Sequence, residues 1–204
     1  EQILARGETP KSATTRLREQ SDPRLLLGET TARYLDSLQL AAEHVLGREA
    51  VESLDSTVDQ IVPGLTDEPA WPTLRAHLLL LGAHGLDPIT ELRNTATDRE
   101  LATASDAAAV LDWRLDPTGL RNAAPGPLPW TPGIPTRLTE HPHWGNYLAQ
   151  RADLVATLAA RVRQQSLDDV GDGALPEWAR NGLRPDESIV TDVEVWRAAM
   201  KIPA

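Results

Sequence analysis

Residues 105–163 read SDAAAVLDWRLDPTGLRNAAPGPLPWTPGIPTRLTEHPHWGNYLAQRADLVATLAARVR, and the fold turns on how they are read. Ser105 is placed to cap a helix, with Asp106 in the first turn and alanines behind it. This helix carries Trp113 and ends near Asp116, because Pro117 disfavours helical geometry in the residue before it. Six prolines follow: Pro117, Pro125, Pro127, Pro129, Pro132 and Pro135. Each fixes φ and removes an amide donor, so neither a helix nor a central strand can form there. The crossing still holds Leu128, Trp130 and Ile134, and Arg121 is its only charge. A solvated linker gains nothing from a Trp. The prediction is an ordered extended segment of polyproline II type, laid over the helices and pinned by Trp130. A docking strip for a partner is the functional alternative. After His143 comes a long amphipathic helix. Leu148, Ala152, Val155, Leu158, Ala159 and Val162 share one face, with Gln150, Asp153, Thr157 and Gln164 opposite.

Upstream, Asp22-Pro23 is a helix start, an acid cap followed by proline at the first helical position. The apolar period runs from Leu26 through Tyr34, Leu38 and Ala42 to Leu46, with Gly47 as the stop. A second helix spans about Glu49 to Pro63 on Val51, Leu54, Val58, Ile61 and Val62. A third starts near Pro69 and Trp71, holds Leu78–Leu81 and ends at Gly85. Asp87-Pro88 opens a short helix to about Arg93, and Asp98–Ala102 reads as one more turn. Downstream, the acidic loop Asp168–Gly173 ends the long helix. A last helix runs from Pro185 and Asp186 to Met200, with Ile189, Val193, Trp196, Arg197 and Met200 giving its period. Ile189, Thr191, Val193 and Val195 also alternate as a strand would, so a strand stays open there. Pro69-Ala70-Trp71, Pro142-His143-Trp144 and Pro176-Glu177-Trp178 each open a helix, with proline expected at its first position. The expected class is all-α. It is an irregular multi-helix domain over 22–204 with a long ordered proline-rich crossing and a subdivision near 104, behind a flexible tail or linker at 1–21.

Composition narrows the functions. Phe is absent and Met occurs once, so leucine, valine and alanine fill the interior, with six tryptophans expected as large anchors. Zero cysteine excludes disulfides and thiolate metal sites, and it fits a reducing cytoplasm. No apolar run reaches the roughly 18–20 residues of a membrane span. The chain opens on Glu1 and shows no signal peptide, which reads as a piece of a longer protein. A net charge of −10 disfavours non-specific DNA binding, which draws on cation-rich surfaces.

Motifs of catalysis are missing. There is no G-x-x-x-x-G-K-[ST], no G-x-G-x-x-G and no G-x-S-x-G. His77 and His84 lie two turns apart on one helix, about 10 Å, too far to share a metal, so packing in the core or at the surface is expected. His141-Pro142-His143 superficially matches a His-hydrophobe-His metal motif, but proline does not suit the strand that motif needs. Asp168, Asp169 and Asp172 do not follow calcium-loop spacing. No catalytic residue, cofactor or metal is predicted.

The stretches DAAAVLDWRLDPTG, GPLPWTPGIP and HWGNYLAQRADLV resemble the C-terminal region of large actinobacterial conjugative relaxase–helicases of the TrwC/TraI-like (MobF) class. RYLDSLQLAAEHVLG, LTDEPAWPTLRAHLLLLGAHGLDP and VEVWRAAM resemble the same region, so the likeness covers roughly 30–200. Members of that class nick one DNA strand through a tyrosine and a three-histidine metal site, and unwind the duplex with an ATP-driven RecD-like helicase. This chain carries neither set of motifs, and no catalytic residue transfers to it. The resemblance implies a non-catalytic accessory module. It would hold the relaxosome together or dock to the type IV coupling apparatus, with other domains of the parent relaxase as further partners. Trp130, Arg137 and Trp144 are the expected partner-binding residues. The alternative is a DNA-contacting domain supporting the helicase, using Arg151, Arg161 and Arg163. Arg161 and Arg163 diverge by about 200° around a helix, so no single cationic stripe forms.

Overall fold

The computed structural model describes residues 21–96, 101, 104–180 and 186–203. Among these residues the secondary structure is helical. The helices are α1 (Pro23–Leu46), α2 (Arg48–Ile61), α3 (Trp71–Ala83), α4 (Pro88–Ala96), α5 (Ala107–Leu115), α6 (Thr136–Thr139), α7 (Trp144–Gly171), α8 (Glu177–Arg180) and α9 (Glu187–Ala199), with a 3-10 turn at Leu65–Asp67. The protein is thus all-α, with one isolated antiparallel bridge, Pro125 to Pro132, as its extended pairing among the described residues. No helix among them is long and apolar enough to cross a membrane. Apart from Ser21, the tail expected at 1–21 lies outside the described residues. So does the turn expected at 98–102, apart from Leu101.

By internal contacts the chain forms two units. Of the described residues, those up to Thr31 and from Thr157 on make a terminal unit, and those from Ala32 to Ala156 a central unit. The boundaries fall within α1 and within α7. Residue 104, where a subdivision was expected, lies inside the central unit.

The central unit is built around α3. Leu74, His77, Leu78, Leu79, Leu80, Leu81 and Ala83 are all buried, so this helix is enclosed on every side, as its leucine run requires. It packs against α4, α5 and α6. Leu54, Val58, Leu65, Leu92, Leu111, Leu138 and Leu148 complete the core, each such burial contributing roughly 1.5–3 kcal/mol. Aspartates start the helices. Asp22 accepts from the Arg24 amide at 2.9 Å, Asp87 from Ile89 at 3.2 Å and Asp106 from Ala109 at 2.9 Å. The cap of α5 is therefore Asp106 and not Ser105, and the reason is that this carboxylate serves two ends. Its second oxygen takes the Ala70 amide at 2.9 Å, just ahead of α3.

The proline-rich crossing is ordered, but it is not an extended polyproline strip. It doubles back. Gly126 donates to Thr131 O and Gly133 to Ala124 O, both at 2.7 Å, and Leu128–Thr131 form the turn between them. Glycine makes this closure sterically open, since a Cβ on Gly126 would lie 2.4 Å from Pro132 O and one on Gly133 would lie 2.7 Å from Ala124 O. The pin also differs from expectation. Leu128, Thr131 and Pro132 are buried, while Trp130 is half-buried. Tyr34 of α1, fully buried, donates its phenol to Pro132 O at 2.8 Å and so ties the hairpin down. Burial without an ionic partner pushes that phenol far above its ordinary value. Tyr34→Phe is expected to lower the unfolding free energy by about 1–1.5 kcal/mol in a urea titration, because a buried carbonyl loses its donor.

Other expectations are adjusted. None of the six tryptophans is fully buried, and Trp113 is 64% exposed; leucines and Tyr34 are the large anchors instead. At the three Pro-x-Trp sites proline precedes the helix instead of occupying its first position. Trp71 and Trp144 are first helical residues, and Glu177 starts α8. The short helix α6 has no counterpart in the sequence reading, and α4 runs three residues beyond Arg93, to Ala96.

In the terminal unit α7 continues through Asp168 and Asp169 to Gly171, past the point where an acidic loop was expected. Arg24 holds Asp169 at 2.8 Å across from it. The last segment is a helix, α9, capped by Asp186 on the Ser188 amide at 2.8 Å, which removes the strand alternative. Its buried face is Val190, Thr191, Glu194, Val195 and Ala199. The stripe expected inward, with Ile189, Trp196 and Met200, is instead 53%, 42% and 55% exposed. The physical cause is Glu194, which turns inward to accept the Trp178 indole N–H at 2.8 Å.

Candidate functional site

Within the central unit α1 and α7 run side by side and antiparallel: His44 meets Trp144, and Ser37 meets Tyr147. The first contact is a hydrogen bond from the Trp144 indole N–H to His44 Nδ1 at 3.1 Å, with the rings 5.9 Å apart. His141 stands 5.7 Å from the His44 ring, edge to face. Its Nδ1 takes the amides of His143 and Trp144, both at 3.3 Å, and so caps the start of α7 with an imidazole lone pair. Indole and amide N–H groups can only donate, so Nδ1 is the acceptor in both rings and the proton sits on Nε2. Along α7, Trp144 packs edge-on to Tyr147 at 5.9 Å, and the Arg151 guanidinium lies over the Tyr147 ring at 5.0 Å. Ser37 and then Arg151, at the phenolic oxygen, hold the Tyr147 phenol below its ordinary value.

Around this cluster apolar side chains face outward. Leu40 is 57% exposed, Leu154 45% and Tyr147 38%. Helical spacing puts Leu40 between Ser37 and His44 on α1, and Leu154 seven residues on from Tyr147 on α7. These exposed stretches of the two helices, joined by the His44–Trp144 and Ser37–Tyr147 contacts, make a ledge that carries apolar side chains beside imidazole, guanidinium and the exposed carboxylate of Asp36.

The residues expected at a partner surface sit on separate elements. Trp144 is in the ledge. Trp130 is in the hairpin turn, its indole N–H buried with no hydrogen-bond partner among the described residues. Arg137 lies on α6 and reaches Gly82 O at 3.5 Å with its guanidinium. The three arginines of the DNA reading also divide. Arg151 covers Tyr147 in the central unit, whereas Arg161 and Arg163 belong to the terminal unit. Arg163 pairs with Asp192 at 2.6 Å, and Arg161 is exposed.

A second polar cluster gathers around a buried histidine and reaches the surface at Asn122. His77 is 1% exposed, its Nδ1 2.9 Å from Asp112 Oδ1 and its Nε2 2.8 Å from Asn122 Oδ1. Arg121 reaches the same Asp112 oxygen at 3.1 Å and Thr73 O at 3.0 Å. Asp116 takes the Asn122 amide at 2.9 Å. Arg121 and Asn122 both have left-handed backbone, φ 55 and 56, which aims their side chains back at α3 and α5. The cluster fastens the start of the crossing to the core. Of the core or surface packing expected for His77 it is the core position that is found, with a full set of polar partners the sequence did not reveal. His84, half-buried at the end of α3, has its imidazole pushed below its ordinary value by burial.

Burial pushes the Asp112 carboxyl up, but the His77 hydrogen bond and the Arg121 charge outweigh it and hold it below the usual carboxylate range. Burial likewise raises Asp116, and hydrogen bonds from Thr118 and Asn122 outweigh that. A carboxyl depressed by folding adds stability above its unfolded value, near pH 4, and loses it as pH falls through the lower folded value. The unfolding midpoint is therefore expected to drop as pH falls below about 4, and Asp112→Asn to flatten that drop. An equal slope in wild type and variant would contradict this assignment.

Among the described residues no group of three or more His, Cys, Asp or Glu side chains is arranged to hold a metal. Comparison with family models, with curated proteins and with solved structures finds no match to this chain.

Proposed function

We propose that the chain is a non-catalytic helical interaction module of a conjugative relaxase, acting in relaxosome assembly or in docking to the type IV coupling apparatus in the cytoplasm. The observation that carries this reading is the α1–α7 ledge. Its clamped Trp144–His44 pair makes a rigid floor, and Leu40, Tyr147 and Leu154 stand exposed along it. Rigid aromatic residues with flanking apolar side chains are the usual anchors of protein interfaces. The resemblance of HWGNYLAQRADLV to the relaxase C-terminal region falls on the α7 half of this ledge.

The test is capture of the coupling protein from the same transfer system by the full chain. Leu40→Asp/Leu154→Asp is expected to unfold within about 0.5 kcal/mol of wild type, since both sites are exposed. The same double variant is expected to weaken capture by about tenfold or more. Undiminished capture by the folded double variant would overturn the reading.

A further inference from the structure

We propose that α9 is a self-association helix, which docks side by side and in parallel against α9 of a second copy of this chain. The contact is separate from the ledge and does not rest on it. Ile189, Val193 and Trp196 of α9, and Met200 just after it, share one face. At about 100° per residue the four fall within about 60° of one another around the helix. The helical turn holds to the end of the stripe, since the Met200 amide bonds Trp196 O at 2.9 Å. Ile189, Trp196 and Met200 are exposed and Val193 is half-buried. The other sides of the helix are engaged within the terminal unit. Glu194 takes the Trp178 indole, Asp192 pairs with Arg163 of α7, and a Cβ on Gly28 of α1 would lie 2.8 Å from Ala198 O.

The spacing points to a helix as occupant. Steps of four, three and four residues are the alternation of the two seam positions in a heptad, along which two helices lie side by side. Charge then selects the copy and its direction. Asp192 edges one side of the stripe and Arg197 the other. Parallel helices bring opposite edges together, so Asp192 of each faces Arg197 of the other, as flanking seam positions do. Antiparallel helices bring like edges together, acid beside acid and base beside base. A partner helix of a single sign satisfies one edge and opposes the other. Both side chains keep an atom for the bond. Asp192 gives Oδ1 to Arg163, which leaves Oδ2. Arg197 gives Nη2 to Pro203 O and sets Nε 3.7 Å from Glu194, which leaves Nη1. Of the other charges, Glu187 and Glu194 lie on the far side of the helix and Lys201 follows its end. Asp186 is on the stripe side ahead of Ile189, its Oδ1 held by the Ser188 amide and hydroxyl at 2.8 and 2.6 Å. In a parallel pair the two Asp186 carboxylates face each other at the open end, which weakens the contact. A seam of four side chains per copy falls in the small class, below about 1,200 Å², so dimerisation is expected at roughly 10–100 µM.

The experiment is sedimentation equilibrium of the full chain from about 5 to 500 µM, over which wild type is expected to pass from monomer to dimer. Ile189→Asp/Met200→Asp should raise Kd about tenfold or more, with an unfolding midpoint close to wild type because both sites are exposed. Asp192→Arg and Arg197→Asp should each weaken the dimer about tenfold. An equimolar mixture of the two should recover it, because both edge pairs then join an arginine to an aspartate. Asp186→Asn keeps a capping side chain and should tighten the dimer about threefold or more. Unfolding midpoints of all variants are measured alongside. A monomer throughout the range, a dimer indifferent to Ile189 and Met200, or a mixture of folded variants no tighter than its components would each overturn the inference. A dimer lost instead in Leu40→Asp/Leu154→Asp would place the contact on the ledge and overturn it too.

Discussion

The His77→Leu variant is expected to lose about 3 kcal/mol of unfolding free energy, although leucine fills a similar volume. The cause is what stays behind. Asp112 and Asn122 both bond the imidazole, at 2.9 and 2.8 Å, and a leucine in that 1% exposed position offers a partner to neither, so each must turn to the solvent its own side chain reaches. Arg121 still holds Asp112, which keeps the cost below that of a wholly stranded carboxylate. A double-mutant cycle isolates the contact: His77→Leu/Asp112→Leu should recover part of the loss, since removing both members of a buried pair is milder than removing one. If the two single losses simply add, the cluster is not a coupled unit.

Gly145→Ala is expected to cost about 2–3 kcal/mol, a large effect for one methyl group. The added Cβ would stand 2.1 Å from Thr139 O and 3.1 Å from Thr139 C. Both are backbone atoms at the end of α6, so relief requires a shift of α6 or of the first turn of α7. That turn carries Trp144, and the shift should disturb the His44 hydrogen bond as well. Gly171, in the same helix, is the control. A Cβ there meets nothing within 4 Å, so Gly171→Ala should leave stability unchanged or raise it by up to about 1 kcal/mol. Equal effects at the two glycines in chemical denaturation would contradict the packing described for α6 and α7.

Local signals in the sequence carried most of the helices. Asp-Pro at 22–23 and 87–88, Gly47 and the period of α7 act over a few residues, and each appears where it was read. The buried face of α7 was legible for the same reason: Leu148, Val155, Leu158, Ala159 and Val162 are buried, Ala152 half so. What failed depends on distant partners. The turn of α9 was misjudged because Glu194 gains an indole N–H from outside its own helix, which periodicity cannot show. In the proline crossing, φ restriction and the apolar residues pointed to an ordered extended segment, but the path is set by Gly126 and Gly133, which let it double back. The ledge was legible only through Trp144. Leu40 falls off the apolar stripe of α1, a usable hint, but the pairing of its helix with α7 rests on His44–Trp144 and Ser37–Tyr147, residues a hundred or more positions apart.

The most direct test of the account is amide hydrogen exchange of the full chain with and without the coupling protein. The account predicts added protection confined to residues 35–46 of α1 and 144–155 of α7, and its loss in Leu40→Asp/Leu154→Asp. Protection that falls elsewhere, on α5 around the exposed Trp113 or on α9, would contradict it.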